Sequence, residues 1–325
     1  MRVRDSVVVV TGASSGIGRA TAEAFARRGC AVVLAARRKD ALTAAAQECE
    51  RHRGARTLVV PTDVADPLSV QNLAQRAVQR FGRIDVWVNA AAVAAYGPVE
   101  EVPLEDFRKV MDVNVMGCVH GARAALPVMR EQGSGTLITI SSIVSEVYQP
   151  YSESYVMSKH AVRALSGGIR QELRLEGAKG IRVCTVLPAS IDTPIFRQSA
   201  NCTGRKVIPI PPVYSPQRVA RTIVDLVRVP RREVVVGPMG RALVLPSRLA
   251  PGLVERAMAR KVDTTHLSRD ESAPATHGNL HTPSPGEGSV HGGWNGRRRT
   301  AVRRLAAAAT VLGAAAGAAR RLAAG

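Results

Sequence analysis

The sequence predicts a doubly wound α/β domain, a parallel β-sheet with helices on both faces. Three observations lead there: short unbroken apolar runs recur up to about residue 236, helical stretches separate them, and glycines follow the first run. A strand covered on both faces reads as a continuous apolar run, and parallel neighbours need a crossover, usually a helix.

Val7–Thr11 is a β-branched run and forms the first strand. The basic residues before it give only a superficial likeness to a secretion signal, because the run is short and passes directly into glycines. Gly12–Gly18 form a turn, and Ala20–Arg28 has helical composition ending at Gly29. Val32–Ala35, Thr57–Pro61 and Ile84–Asn89 are the next strands, with helices at Leu42–His52 and Leu68–Phe81 between them. Pro103–Arg130 is helical material broken near Asn114, followed by a strand at Gly135–Ser141 and a long helix at Ser154–Glu176. Ile181–Leu187 is the sixth strand, Val219–Arg228 a helix and Glu233–Val236 the last strand.

One domain is therefore expected over residues 1–262, with its sheet complete near 236. Residues 263–296 are rich in His, Ser, Thr, Pro and Gly and poor in large apolar groups. Such a segment has little to offset its ordering entropy and is expected to be a flexible linker. Residues 297–325 form a basic, alanine-rich tail.

The net charge of +19 is unevenly placed: residues 231–325 hold 15 Lys and Arg against 6 Asp and Glu. No nucleic-acid motif or interleaving of aromatic and basic residues accompanies it, which argues against a nucleic-acid partner. The apolar stretch 305–319 falls short of the roughly 20 residues that span a bilayer. Its flanking arginines leave open a weak contact with an anionic membrane surface. Five scattered cysteines without a CxxC pair favour a reducing, cytoplasmic setting over a disulfide scaffold, and no metal site is expected.

The chemistry concentrates at strand ends. Thr11-Gly-Ala-Ser-Ser-Gly-Ile-Gly18 lies between a strand and a helix, where glycines let the helix amides approach a pyrophosphate. Gly12, Ser14, Ser15, Gly16, Ile17 and Gly18 are the candidate phosphate-binding residues. Tyr155 and Lys159 are four residues apart on one helix face. An ammonium near a phenol favours the phenolate, lowering a pKa that is otherwise near ~10. Ser142 ends a strand, where a serine by itself is more often a capping residue.

Residues 11–18 match the motif TGxxxGxG, and Asp63, Asn89, Asn114, Ser142 and Tyr155-Val-Met-Ser-Lys159 follow in register. The ordered set resembles the short-chain dehydrogenase/reductase family, in motif order from Val7 to Thr193. That resemblance implies a single Rossmann-like domain and hydride exchange between a nicotinamide cofactor and a carbonyl or secondary alcohol. It implies Tyr155 as general acid and base, Lys159 on the nicotinamide ribose, Ser142 on the substrate oxygen and Asn114 holding a relay water. It further places Asp63 and Val64 beside adenine, and Asn89, Pro188 and Thr193 beside the cofactor. It suggests a homodimer or homotetramer.

Cofactor choice is read after the second strand, where an NAD site offers a carboxylate. Here Arg37, Arg38 and Lys39 stand instead. Guanidinium grips a phosphate bidentately, so NADP(H) is expected with Arg37 the principal contact and Arg38 the second, NAD(H) being used less well. Two departures from the family pattern, Ala90 and Ala92 in the Asn89 segment and Ala189 after Pro188, narrow backbone freedom at the cofactor's seat. Residues 143–154 and 194–214 carry Ile195, Phe196, Val207, Ile208, Ile210, Val213 and Tyr214, which suit an apolar carbonyl or alcohol. A non-catalytic nucleotide-binding scaffold and a membrane-surface protein are the alternatives, the first opposed by the intact Tyr155 and Lys159 pair.

Overall fold

The structure is a computed structural model that describes residues 3–294. Seven parallel strands form the main sheet: β1 (Val7–Thr11), β2 (Ala31–Ala36), β3 (Arg56–Pro61), β4 (Val86–Asn89), β6 (Gly135–Ile140), β7 (Ile181–Pro188) and β10 (Glu233–Val236). The helices between them are α1 (Gly16–Ala26), α2 (Lys39–Glu50), α3 (Pro67–Phe81), α4 (Leu104–Met111), α5 (Gly117–Glu131), α6 (Glu153–Leu175) and α8 (Pro216–Arg228). Short pieces fill the connections: β5 (Ala95–Tyr96), α7 (Ile195–Gln198), β8 (Ala200–Asn201) and β9 (Arg205–Val207). The strand order is β3-β2-β1-β4-β6-β7-β10, so the winding reverses between β1 and β4. A crevice opens at the carboxyl ends of the strands at such a reversal. This is the Rossmann-like parallel sheet that the sequence predicts.

Alternation along β1 divides the core. Val7 and Val9 face one apolar layer, with Val33, Leu73, Trp87 and Leu137. Val8 and Val10 face the other, with Leu34, Phe25, Leu42 and Ile223. Both layers are dry, which explains why the strands read as continuous apolar runs. Local signals set the helix ends. The Asp66 carboxylate accepts from the amides of Leu68 and Ser69 at the start of α3, and Gly82, at φ 80°, ends it. The break near Asn114 is a π-helical turn over residues 112–116, joining α4 to α5.

Beyond β10 the chain forms two helices absent from the sequence reading, α9 (Pro238–Leu249) and α10 (Pro251–Lys261). A second π-helical turn at 262–266 leads into β11 (Leu267–Ser272), which pairs antiparallel with β9. The expectation of a flexible linker over 263–296 fails where the segment is described. Residues 273–294 run as a strap across the carboxyl edge of the sheet. The reason is that polar contacts, rather than an apolar face, tie them down. The amide of Asn279 donates to the Gln198 carbonyl at 2.7 Å, Gly292 and Trp294 donate to the Asp192 carboxylate, and only Leu267 and Leu280 bury large apolar side chains. The tail 297–325, with its suggested membrane contact, lies outside the described residues. Among the described residues no helix is long and apolar enough to cross a membrane.

Candidate active site

The crevice begins at the glycine turn. Thr11 Oγ1 donates to the Val88 carbonyl and accepts from the amides of Ala90 and Ala91, bracing β1 against β4 where the sheet reverses. Gly12 has φ +68°, and a Cβ there would lie 2.8 Å from the Ala91 backbone. A Cβ on Gly18 would lie 2.2 Å from the Gly12 carbonyl. Both positions therefore require glycine for the turn to close over the start of α1.

Tyr155 lies in the first turn of α6, half-buried, and Lys159 in the second, buried. Lys159 Nζ is 5.2 Å from the centre of the Tyr155 ring and donates to the Ile140 carbonyl at 3.1 Å. Ser141 Oγ donates to the Lys159 carbonyl at 2.8 Å, so the end of β6 holds α6 in register. Ser142 follows, its hydroxyl accepting from the Val144 amide and close enough to Tyr155 to lower the phenol. Asn114 works as a brace: its Oδ1 accepts from the Val93 amide, while its Nδ2 donates to the Val93 carbonyl and Ser158 Oγ, each at 2.9 Å.

Burial pushes the Tyr155 phenol up to about 12, with the Ser142 hydrogen bond opposing, and pushes Lys159 down to about 8. The sequence expectation of a phenol lowered by its lysine is thus reversed. Burial disfavours any charged form, so it raises the phenol and lowers the ammonium together. The phenol is held as an acid.

The phosphate-turn candidates, Arg37, Arg38, Asp63, Val64, Ser142, Tyr155, Lys159, Pro188 and Thr193 all line one cleft. Asn89 does not: its Oδ1 accepts from Trp87 Nε1 at 2.8 Å and faces Gly121 of α5. Asn114 sits behind the cleft, with Val113 at its wall. Residues that the sequence reading did not assign also line it, including Gln198 and, from the strap, Asn279, Pro283 and Ser284. The strap uses two of the candidates. Arg37 donates to the carbonyls of Asn279, Leu280 (2.9 Å) and His281 (3.3 Å), and the Gly16 amide donates to the Ser289 carbonyl at 2.9 Å. No sequence signal pointed to these contacts, because backbone carbonyls accept them.

An apolar and aromatic cluster packs beside the cleft. Tyr155, Tyr151, Ile195, Phe196, Ile210 and Met258 pack around Ala94, Tyr96 and Val207. Buried His266 joins this cluster, its ring 5.2 Å from Tyr96 and 5.9 Å from Phe196, and burial lowers it to about 4.

The model of the short chain dehydrogenase family matches residues 6–202. The chain belongs to that family. It is 33% identical over 261 residues to an uncharacterized oxidoreductase, YxnA, of Bacillus subtilis, covering 80% of this chain and 73% of the relative. It is 32% identical over 277 residues to dehydrogenase/reductase SDR family member 7B of Bos taurus, covering 82% and 84%. Two solved structures are similar. A short chain dehydrogenase/reductase from Burkholderia phymatum in complex with NAD has a TM-score of 0.70 and 28% identity, over 78% of this chain and 96% of that one. An alcohol dehydrogenase from Thermococcus sibiricus complexed with 5-hydroxy-NADP has a TM-score of 0.63 and 29% identity, over 71% and 95%. This member of the family is an NAD(P)-dependent oxidoreductase. Its residues fit the dinucleotide: the two glycines leave a cradle that a Cβ would fill, and Arg38 Nη1 is buried at the cleft without a hydrogen-bond partner among the described residues.

Proposed function

We propose that the protein reduces an apolar ketone or aldehyde, or oxidises the matching secondary or primary alcohol, with NADP(H) preferred and Tyr155 carrying the proton. The observation that carries this reading is the Ser142, Tyr155 and Lys159 set brought together in the cleft beside Ile195 and Phe196. A bound nicotinamide supplies or accepts the hydride. The chain does the rest. Ser142 and Tyr155 receive the substrate oxygen, and Tyr155, protonated up to about 12, gives it a proton. Lys159 steadies the phenolate that results, and Asn114 positions α6 through Ser158. Oxidation runs the proton the other way.

The preference for NADP(H) is supported by Arg38 and Arg37 and by the absence of a carboxylate between Leu34 and Lys39. Arg38, whose Nη1 makes no hydrogen bond among the described residues and faces the Asp40 carboxylate at 3.9 Å, is the stronger candidate for a 2′-phosphate, since Arg37 already serves the strap. The partner is a small molecule with an apolar part, which the Ile195 and Phe196 wall of the cleft suits. A homodimer or homotetramer and a cytoplasmic location belong to the same proposal.

The test is a panel of aromatic and aliphatic carbonyls and alcohols, followed at the nicotinamide absorbance with both cofactors. Turnover of an apolar member with NADP(H) at least 10-fold more efficient than with NAD(H) is expected. Equal efficiency with both would remove the preference.

A further inference from the structure

We propose that Asp106, His277 and His281 form a site for a divalent first-row transition metal, zinc being the ion the donor set suits, and that the ion clasps the strap to α4. Asp106 lies in the first turn of α4 with its side chain 1% exposed. His277 Nδ1 sits 3.0 and 2.9 Å from its two carboxylate oxygens, and His281 Nε2 sits 2.8 Å from Oδ1. One ligand atom from each residue lies within 4.8 Å of the others.

The geometry is close to what an ion needs. With bonds of about 2.0–2.2 Å in a tetrahedron, ligand atoms stand roughly 3.3 Å apart; each imidazole nitrogen is within a few tenths of an ångström of that distance from Asp106, and the two nitrogens, within 4.8 Å of each other, close on the ion by turning their exposed rings. Both rings have room, being 60% and 44% exposed on their side chains. The exposed side also gives the ion an entry path and lets water complete its shell. Two imidazoles and a carboxylate are borderline donors that favour zinc and its neighbours over magnesium or calcium.

The ligands are held before any ion arrives. Leu280, between the two histidines in the chain, is fully buried in the core. The amide of Asn279 donates to the Gln198 carbonyl, and Gly278, at φ +54°, passes so close to the Gln198 and Ser199 backbone that a Cβ there would lie 2.3 Å from an oxygen. The turn therefore presents both rings on the side of Asp106. Carbonyls of the same turn hold Arg37, so the ion would fix the cleft wall at its ribose end.

The test uses the full-length chain without a histidine tag and zinc alone as probe, followed by isothermal titration in a non-chelating buffer. One equivalent should bind to the wild type. H277Q/H281Q and D106N should each weaken that equivalent by more than the roughly 10- to 100-fold that even an outer-shell change costs. The two histidines are surface groups, so H277Q/H281Q keeps the core intact and carries the test should D106N misfold; all five cysteines remain in both variants. Zinc should also slow amide exchange over residues 276–282 at least several-fold in the wild type and not in H277Q/H281Q. Wild-type affinity in H277Q/H281Q, no uptake by the wild type, or equal slowing in both would overturn the site. None of these readouts involves turnover, so they stand apart from the proposed activity.

Discussion

The floor of the cleft and the strap that crosses it are held by different forces. The floor rests on β1, β4 and β6, where Val8, Val9, Val10, Trp87, Val88 and Ile138 are wholly buried, each adding roughly 1.5–3 kcal/mol of apolar burial. The strap, residues 273–294, buries one large apolar side chain completely, Leu280. It is otherwise tied by hydrogen bonds, among them those to the side chains of Arg19, Arg37, Asp106 and Asp192 and to the backbone of Gly16 and Gln198. Many small terms spread over a sheet tolerate single losses. A few localised ties do not, so the strap is the part of the site that single substitutions or a bound ion can release or fasten.

The hardest way to break the floor is through its turn. Gly18→Val would drive a side chain into the Gly12 carbonyl, and dinucleotide affinity, read by quenching of protein fluorescence, should fall at least 100-fold. Affinity within a few-fold of the wild type would show that the turn can open without cost.

Leu280→Ala sharpens the contrast from the other side. Large-to-small changes in a packed core cost about 2–5 kcal/mol, and here the cost should fall on the strap alone. Limited proteolysis should cut within residues 273–294 much faster while the main unfolding transition of the sheet stays near its wild-type temperature. A matching drop in that transition would mean that strap and floor unfold together.

His266 tests the border between the two regions, since it ends the turn that leads into β11. Its folded pKa of about 4 is below the ordinary 6.5, so the unfolded chain binds the proton more readily. Its contribution is fully present above about 6.5 and lost as pH falls toward 4, roughly 3 kcal/mol in all. Denaturant unfolding of His266→Leu against pH should show a shallower loss over that window. An unchanged slope would assign the acid sensitivity elsewhere.

A smaller effect separates Lys159 from Tyr155. Tyr155 keeps its proton to about 12, whereas Lys159 begins to lose its own near 8. The rate of carbonyl reduction at saturating cofactor should therefore decline as pH rises through about 8. A rate flat to pH 10 would remove Lys159 from the proton step.

The same contrast governs what could be read in advance. The floor was legible because its strands are buried on both faces and its glycines cannot be replaced, and both leave marks in residue type. Tyr155, Lys159, Ser142 and the turn 12–18 were found from a motif series that resembles the family's, and the structure brings them to one cleft. Asn89 was misplaced because its type said nothing of which side of β4 it faces; it turns to Trp87. The strap was read as a linker because His, Ser, Pro and Gly signal low burial, while its ties are backbone carbonyls and amides, which every residue possesses. The reversed pKa of Tyr155 was hidden for a similar reason. Spacing shows which charge is near, but burial is set by the whole fold.

The central claim is that the Tyr155 phenol moves the proton while the surrounding residues hold the cofactor, and Tyr155→Phe tests it most directly. In steady-state assays with the best substrate of the panel, turnover should fall by roughly 10²–10⁴-fold while the dissociation constant for NADP(H) stays within a few-fold of the wild type. Turnover near the wild-type level, with cofactor binding intact, would contradict the account.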